Sequence, residues 1–334
     1  MSASIEAVLP FWLDRPDGEA VDIAQAVNNI GLKRLWIGEM ASFDAFALAT
    51  AIALRAPDIR LALGPLPISV RTPAAIALGA SSVAALTGCD VDVALGASSP
   101  AIVAGWHDRD WRHSADRMRE TIDCLRSMLR GERADFDGHH VRSHGFRLRQ
   151  ALPHSSIGVG PFGPAMIRLA AQTADEVVLN LATPERVADV RERVNAYAAA
   201  VDREPPHLTV WVPAALRPGD AAVRQAAGQL AVYLGPPGYG EMFAGLGYAD
   251  LVKKARAGTR RAELAAAIPL GLLEQVGAFG DQNEVTARLH AYLSAGADTV
   301  AVVPSTAEDP AGQAVLDCAA ATNRQLSTIQ ESSH

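Results

Sequence analysis

The sequence predicts a single-domain (β/α)8 TIM barrel spanning residues 1–334, and two observations carry that prediction. Short β-branched or apolar runs alternate with longer Ala-rich amphipathic stretches, and the alternation yields eight runs. Runs separated by helices read as βαβ crossovers in a parallel sheet, and eight of them suit a closed barrel, whereas a doubly wound sheet usually stops at about five to seven strands. The runs cover residues 5–11, 33–38, 59–66, 90–95, 156–160, 176–181, 207–214 and 298–303. A length of 334 residues is ordinary for one such barrel, so it does not force a second domain.

Local punctuation supports the helices between these runs. Gly31, Gly88 and Gly296 stand just before strands, where a helix end calls for a left-handed residue. Thr72-Pro73 and Thr183-Pro184 each put a capping hydroxyl before a proline in the first turn, and Asp281 with Glu284 has capping-box spacing. Two stretches interrupt the rhythm. Residues 132–155 read as a hairpin inserted after the fourth helix. Residues 216–280 read as a mostly helical excursion after the seventh strand, with Pro236, Pro237, Gly238 and Gly240 at a turn. The polar tail after Gln325 is expected to fray.

Composition narrows the partners. With 49% hydrophobic and 20% charged residues the chain can build a core without disulfides. A formal net charge of -7 offers no basic stripe for a phosphate backbone, which argues against nucleic acid and for a small-molecule substrate. Cys89, Cys124 and Cys318 are too few and too scattered for a disulfide framework or a zinc site. The N-terminus lacks a basic signal-type region, and no run of 18 uninterrupted apolar residues occurs, so no membrane association and a cytoplasmic location are expected.

The segment Ile157-Gly158-Val159-Gly160-Pro161-Phe162-Gly163-Pro164 satisfies G-x-G-x-x-G between a strand and a helix. Such a turn aims backbone N–H groups and the positive end of a helix at a phosphate. A turn that serves packing alone is the alternative. A dinucleotide fingerprint would need an acid at the end of the next strand, but that strand ends Val178-Leu179-Asn180-Leu181. Phosphate binding is therefore expected without specificity for NAD.

Small residues at 96–99 would admit a flat ligand to the fourth strand's end, although a tight turn explains Gly96 equally well. His107, Asp108, Asp110 and His113 lack a recognised metal-ligand spacing, and His139, His140 and His144 fall in the hairpin, so no metal is assigned. No P-loop lysine, G-x-S-x-G elbow or H-E-x-x-H occurs. Glu39 closes the second strand at the barrel mouth, as a cofactor-tuning or proton-handling carboxylate or as an ordinary salt-bridged loop acid.

In order and spacing, segments 35–39, 63–73, 95–111, 157–178 and 296–304 resemble the luciferase-like flavin-dependent oxidoreductase superfamily, and more closely its coenzyme F420 (deazaflavin) branch. The resemblance implies a (β/α)8 barrel with an insertion and a homodimer. It implies a cofactor phosphate held by Gly160, Pro161, Phe162 and Gly163. It also implies a strand-end bulge at Leu63 and Gly64 with a non-prolyl cis peptide under the tricyclic ring; here Gly64-Pro65 places an X-Pro bond beside that position, where cis costs less. Ala97, Ser98 and Ser99 would run beside the ring, and Glu39 would touch the cofactor.

Two departures bear on the chemistry. Alcohol and sugar-phosphate dehydrogenases of the branch place a catalytic histidine where this chain has Met40 and a glutamate where it has Ser99. The expected reaction is thus hydride delivery from the reduced deazaflavin to an activated C=C or C=N bond. Glu39 and His107 are the candidate catalytic residues, with Phe11, Trp12 and Trp106 as apolar substrate walls. An FMN-dependent luciferase-like monooxygenase and a non-catalytic ligand-binding barrel are the alternatives.

Overall fold

A computed structural model describes residues 3–10, 15–39 and 41–331, with side chains to Thr328. The strands are β1 (Ser4–Val8), β2 (Arg34–Ile37), β3 (Arg60–Pro67), β4 (Val91–Gly96), β5 (Asp135–Asp137), β6 (Arg142–His144), β7 (Ile157–Gly160), β8 (Glu176–Asn180), β9 (His207–Leu216), β10 (Ala278–Gly280) and β11 (Thr299–Pro304). Parallel pairing runs β1-β2-β3-β4-β7-β8-β9-β11 and returns to β1, closing an eight-stranded barrel. Each barrel strand begins within a residue or two of its predicted run. The first run was expected to reach Phe11, which lies outside the described residues, and β1 ends at Val8. Residues 132–155 do form an antiparallel hairpin, with Phe136 opposite Ser143. Residues 216–280 are mostly helical, and β10 at their end adds a short parallel strand beside β9.

The helices start and stop where the punctuation placed them. The first seven are α1 (Glu19–Asn29), α2 (Ala45–Ala53), α3 (Pro73–Thr87), α4 (Ser114–Leu129), α5 (Gly163–Thr173), α6 (Pro184–Ala199) and α7 (Asp220–Leu230). The excursion continues as α8 (Tyr239–Phe243), α9 (Ala249–Arg256), α10 (Arg261–Ala267) and α11 (Leu270–Val276), before α12 (Gln282–Ser294) and α13 (Gln313–Glu331). Thr72 and Thr183 accept from the backbone N–H groups of Ala75 and Arg186, and Asp281 forms a reciprocal capping box with Glu284. Gly31, Gly88 and Gly296 all have positive φ. The last helix continues to Glu331, and Leu326 packs on the core.

Alternation along the strands builds the barrel interior in layers. Val8, Trp36, Ala62, Ala94, Val178, Trp211 and Ala301 form an apolar cluster of their own, with Trp36 packed edge-on against Trp211 at 5.6 Å. Their strand neighbours Ala7, Leu35, Leu61, Val93, Val177 and Val210 belong to the larger core under the helices. Two residues toward the N-terminal end of each strand the layer becomes polar: Glu6, Arg34, Arg60, Asp92, Glu176, Thr209 and Thr299.

Arg34 organises this floor. Its guanidinium donates to Glu176 at 3.1 and 2.8 Å and sits 3.0 Å from Asp92 and 3.7 Å from Glu6. Trp36 Nε1 donates to Glu6 at 2.7 Å, and Arg60 donates twice to Asp92 at 2.7 Å. Burial pushes the Glu6 carboxyl up to about 7, even though Arg34 pulls it down. A floor so filled closes the N-terminal end of the barrel, leaving the C-terminal ends of the strands for a ligand.

Candidate functional site

Above the apolar layer the inward positions shrink, and a cavity of about 1450 Å³ opens at the C-terminal ends of the strands. Its floor is Pro65, Gly96, Gly160, Val178 and Trp211. Close packing dictates the glycines. A Cβ on Gly96 would come within 2.9 Å of Pro65 Cβ, and one on Gly160 within 3.3 Å of Pro65 Cγ, so the proline ring wedges against both strand ends. Gly64 has φ 128°, and a Cβ there would lie 2.2 Å from the Ala94 carbonyl oxygen. The register against β4 slips between Leu63 and Leu66, which is the expected bulge.

The details differ from the family expectation. Among the described residues the cis bond is the prolyl one, Gly64–Pro65, and not a neighbouring non-prolyl bond. Leu63 is fully buried in the core beneath the helices, because its strand position points outward, and Gly64 is buried under the bulge. Pro65, absent from the predicted set, is the residue that faces the cavity.

The glycine turn after β7 leads directly into α5. Gly163 has φ 72° and a proline follows it in the first turn. Side chains of Asp44, Thr72 and Thr183 cap α2, α3 and α6, but among the described residues no side chain caps α5. The first N–H groups of a helix have no partner within it. Those of Gly163, Ala165 and Met166 belong to residues that line the cavity. Phe162 lines it too, whereas Pro161 is buried behind the turn and does not.

At the rim, Glu39 is held by an arginine. Arg71 Nε donates to Glu39 at 2.7 Å, a second guanidinium nitrogen contacts the other carboxylate oxygen, and the same guanidinium reaches Asp44. The backbone N–H of Ala45 also donates to Glu39 at 3.4 Å. These bonds hold the Arg71 guanidinium above its ordinary range, chiefly through Glu39. Of the two sequence readings of Glu39, the geometry matches the salt-bridged acid, although the residue does line the cavity.

The loop after β4 supplies one wall, and Ala97, Ser98, Ser99, Trp106 and His107 all line it. Ser98 adopts φ 58°, and its carbonyl accepts from Trp111 Nε1 at 3.2 Å. The Ser99 hydroxyl accepts from Ile102 N at 3.4 Å at the start of a π-helical turn, Ala101–Trp106, a capping role. Trp106 is 57% exposed and His107 is exposed at the rim. Phe11 and Trp12, the other expected substrate walls, lie outside the described residues, as does Met40.

The opposite wall comes from the helical excursion. Asn180, at the end of β8, donates from Nδ2 to Tyr239 Oη at 3.0 Å. The Tyr239 ring lies 4.1 Å from that of Phe162 and 4.7 Å from that of Tyr233, with both tyrosines and Asn180 lining the cavity. Burial pushes the Tyr239 phenol well above its usual range, opposed by the Asn180 hydrogen bond. Neither tyrosine was singled out from sequence, where the segment around Pro236 registered only as a turn.

The sequence matches the family described as luciferase-like monooxygenase over residues 13–299. The chain belongs to that family. This luciferase-like protein is 24% identical over 340 residues to the Mycobacterium tuberculosis protein named "Putative coenzyme F420-dependent oxidoreductase Rv3520c", covering 92% of this chain and 97% of that one. Its fold superposes with a TM-score of 0.80 on the coenzyme F420-dependent tetrahydromethanopterin reductase from Methanopyrus kandleri, at 15% identity over 97% of this chain and 99% of that one. It superposes with a TM-score of 0.70 on the FMN-bound oxygenating constituent of 3,6-diketocamphane monooxygenase of Pseudomonas putida, at 18% identity over 97% and 98% of the two chains. The (β/α)8 barrel predicted from the strand count is thus the observed fold. Among the described residues no helix is long and apolar enough to cross a membrane.

Proposed function

We propose that this luciferase-like protein is a coenzyme F420-dependent oxidoreductase that transfers hydride from the reduced deazaflavin to a small organic substrate, reducing an activated C=C or C=N bond. One observation carries the reading: an uncapped helix N-terminus opens onto a cavity whose floor glycines withdraw side chains from a broad, flat area. A flat ring system with a phosphate-bearing tail fits that combination. The names of the mycobacterial relative and the Methanopyrus reductase support the deazaflavin over FMN. When bound, the reduced deazaflavin supplies the hydride.

The chain's own residues then divide the remaining tasks. Backbone N–H groups of Gly163, Ala165 and Met166 bind the phosphate, while Pro65, Gly96 and Ala97 support the ring. Trp106 and the Phe162–Tyr239 pair exclude water from the reacting bond. Reduction of a double bond also takes one proton at the atom that does not receive hydride. Both carboxylate oxygens of Glu39 are engaged by Arg71, which directs them to the rim and away from the reacting bond. Tyr239, protonated and held at Oη by Asn180, is the better placed donor, with solvent-exposed His107 second.

The same geometry supports the reductive direction. Oxidising an alcohol calls for a base at the reacting carbon's hydroxyl, and charge-paired Glu39 and the capping hydroxyl of Ser99 are both poorly suited to that role. A homodimer fits the exposed apolar side chains Leu54, Leu78 and Leu86 on or beside α2 and α3. The activity test follows oxidation of reduced coenzyme F420 by a panel of enones, imines and ketones under anaerobic conditions. Turnover with activated double bonds supports the reading. Oxygen-dependent turnover with reduced FMN instead, or none with any acceptor, overturns it in favour of the monooxygenase or the non-catalytic barrel.

A further inference from the structure

We propose that His113, Asp116 and His140 form a binding site for a divalent transition metal of the zinc type, separate from the cofactor cavity. One ligand atom from each of the three lies within 4.8 Å of the others. They come from two elements that the sequence separates. His113 immediately precedes α4, Asp116 sits in its first turn, and His140 lies at the tip of the inserted β5–β6 hairpin.

The hairpin tip is fixed independently of these three side chains. Glu120, one turn further along α4 than Asp116, accepts the backbone N–H groups of His139, His140 and Val141 at 2.9, 2.7 and 2.8 Å. His140 is thereby held beside His113, their rings 5.4 Å apart and inclined by only 20°. Two imidazoles and a carboxylate make a mixed nitrogen and oxygen donor set, which suits Zn²⁺ and its neighbours; Mg²⁺ and Ca²⁺ prefer oxygen throughout. Bond lengths of about 2.0–2.2 Å require the donors to draw together, which side-chain rotation on a partly exposed surface permits. Three protein ligands leave a fourth tetrahedral position for water.

The site would act as a clamp. Trp111, Ser114 and Ala115, which flank His113 in the chain, line the cavity wall. A metal on His113, Asp116 and His140 therefore ties the inserted hairpin to the segment that shapes the cavity mouth. No cysteine competes for the ion, because Cys89, Cys124 and Cys318 are all buried.

The test uses the full chain without an affinity tag, stripped with a chelator and titrated with Zn²⁺ by calorimetry near neutral pH. The expected result is one equivalent per chain and a higher melting temperature with metal. His113→Ala and His140→Ala should each weaken uptake by at least about tenfold, the scale on which metal sites respond to lost support. His139→Ala, the neighbouring control, should not. Asp116→Asn keeps the side chain's shape, leaves the hairpin untouched and should also weaken uptake; it decides the matter if either histidine variant melts lower without metal. No uptake by the parent, or uptake undiminished in Asp116→Asn and either histidine variant, overturns the proposal.

Discussion

Asn180 and Tyr239, 59 positions apart, are joined by a 3.0 Å hydrogen bond from Nδ2 to Oη across the mouth of the barrel. Asn180 is fixed by β8, whereas Tyr239 opens a short helix in the excursion after β9. With the amide donating to the phenol oxygen, the phenol's own proton remains available to the cavity. Tyr239→Phe removes that proton and little volume. It should lower turnover by about 10²-fold, the scale of a lost acid, while leaving cofactor affinity within a factor of about three. Single-turnover kinetics at equal cofactor occupancy checks this, and an unchanged rate would move proton donation to His107.

Glu39→Gln separates the two roles open to that carboxylate. The side chain is bound to Arg71, so the variant leaves a half-buried guanidinium with, among the described residues, Asp44 as its remaining acidic partner. Loss of a charge-assisted pair of this kind should cost about 1–3 kcal/mol of stability. Turnover should change by less than about tenfold. Denaturant unfolding together with steady-state rates would show it, and a 10²-fold rate loss in a fully stable variant would return Glu39 to the chemistry.

The barrel floor makes a prediction about pH. Burial raises the folded-state pKa of Glu6 to about 7 from an ordinary 4.5. A carboxyl raised in this way stabilises the fold fully below its unfolded pKa, and that contribution is lost as pH rises through the folded value. Stability should therefore fall between roughly pH 4.5 and pH 7 by the share that Glu6 carries. Glu6→Gln keeps an acceptor for Trp36 Nε1 and should flatten that part of the profile. Parallel slopes for parent and variant would show that Glu6 ionises in the fold as it does in water.

The barrel was legible because its signal is local and repeated: eight alternating runs, with caps at Thr72, Thr183 and Asp281 and glycine stops at Gly31, Gly88 and Gly296. Site residues at strand ends were legible for the same reason. Topology alone places Glu39, Ala97, Ser98, Ser99, Gly160 and Gly163 at the C-terminal mouth, and all of them line the cavity. Leu63 lies outside the lining because it alternates outward next to Ala62, and Gly64 and Pro161 lie outside it because a bulge and a tight turn decide which neighbour faces inward. Contacts between distant segments left no periodic trace. Arg71 on Glu39, Tyr239 on Asn180 and His140 beside His113 each join an element to an inserted or irregular segment.

On the proposed function, the glycine turn before α5 and the flat floor below it hold a deazaflavin. The direct measurement is fluorescence titration of the parent and of Gly163→Val with coenzyme F420 and with FMN. A Cβ at Gly163 meets no atom within 4 Å, so any effect of valine comes from its φ of 72° and the consequent shift of the first N–H groups. The expected result is tighter binding of coenzyme F420 than of FMN by the parent, and at least about tenfold weaker binding by the variant with its circular dichroism unchanged. Preference for FMN, or equal coenzyme F420 affinity in parent and variant, would contradict it.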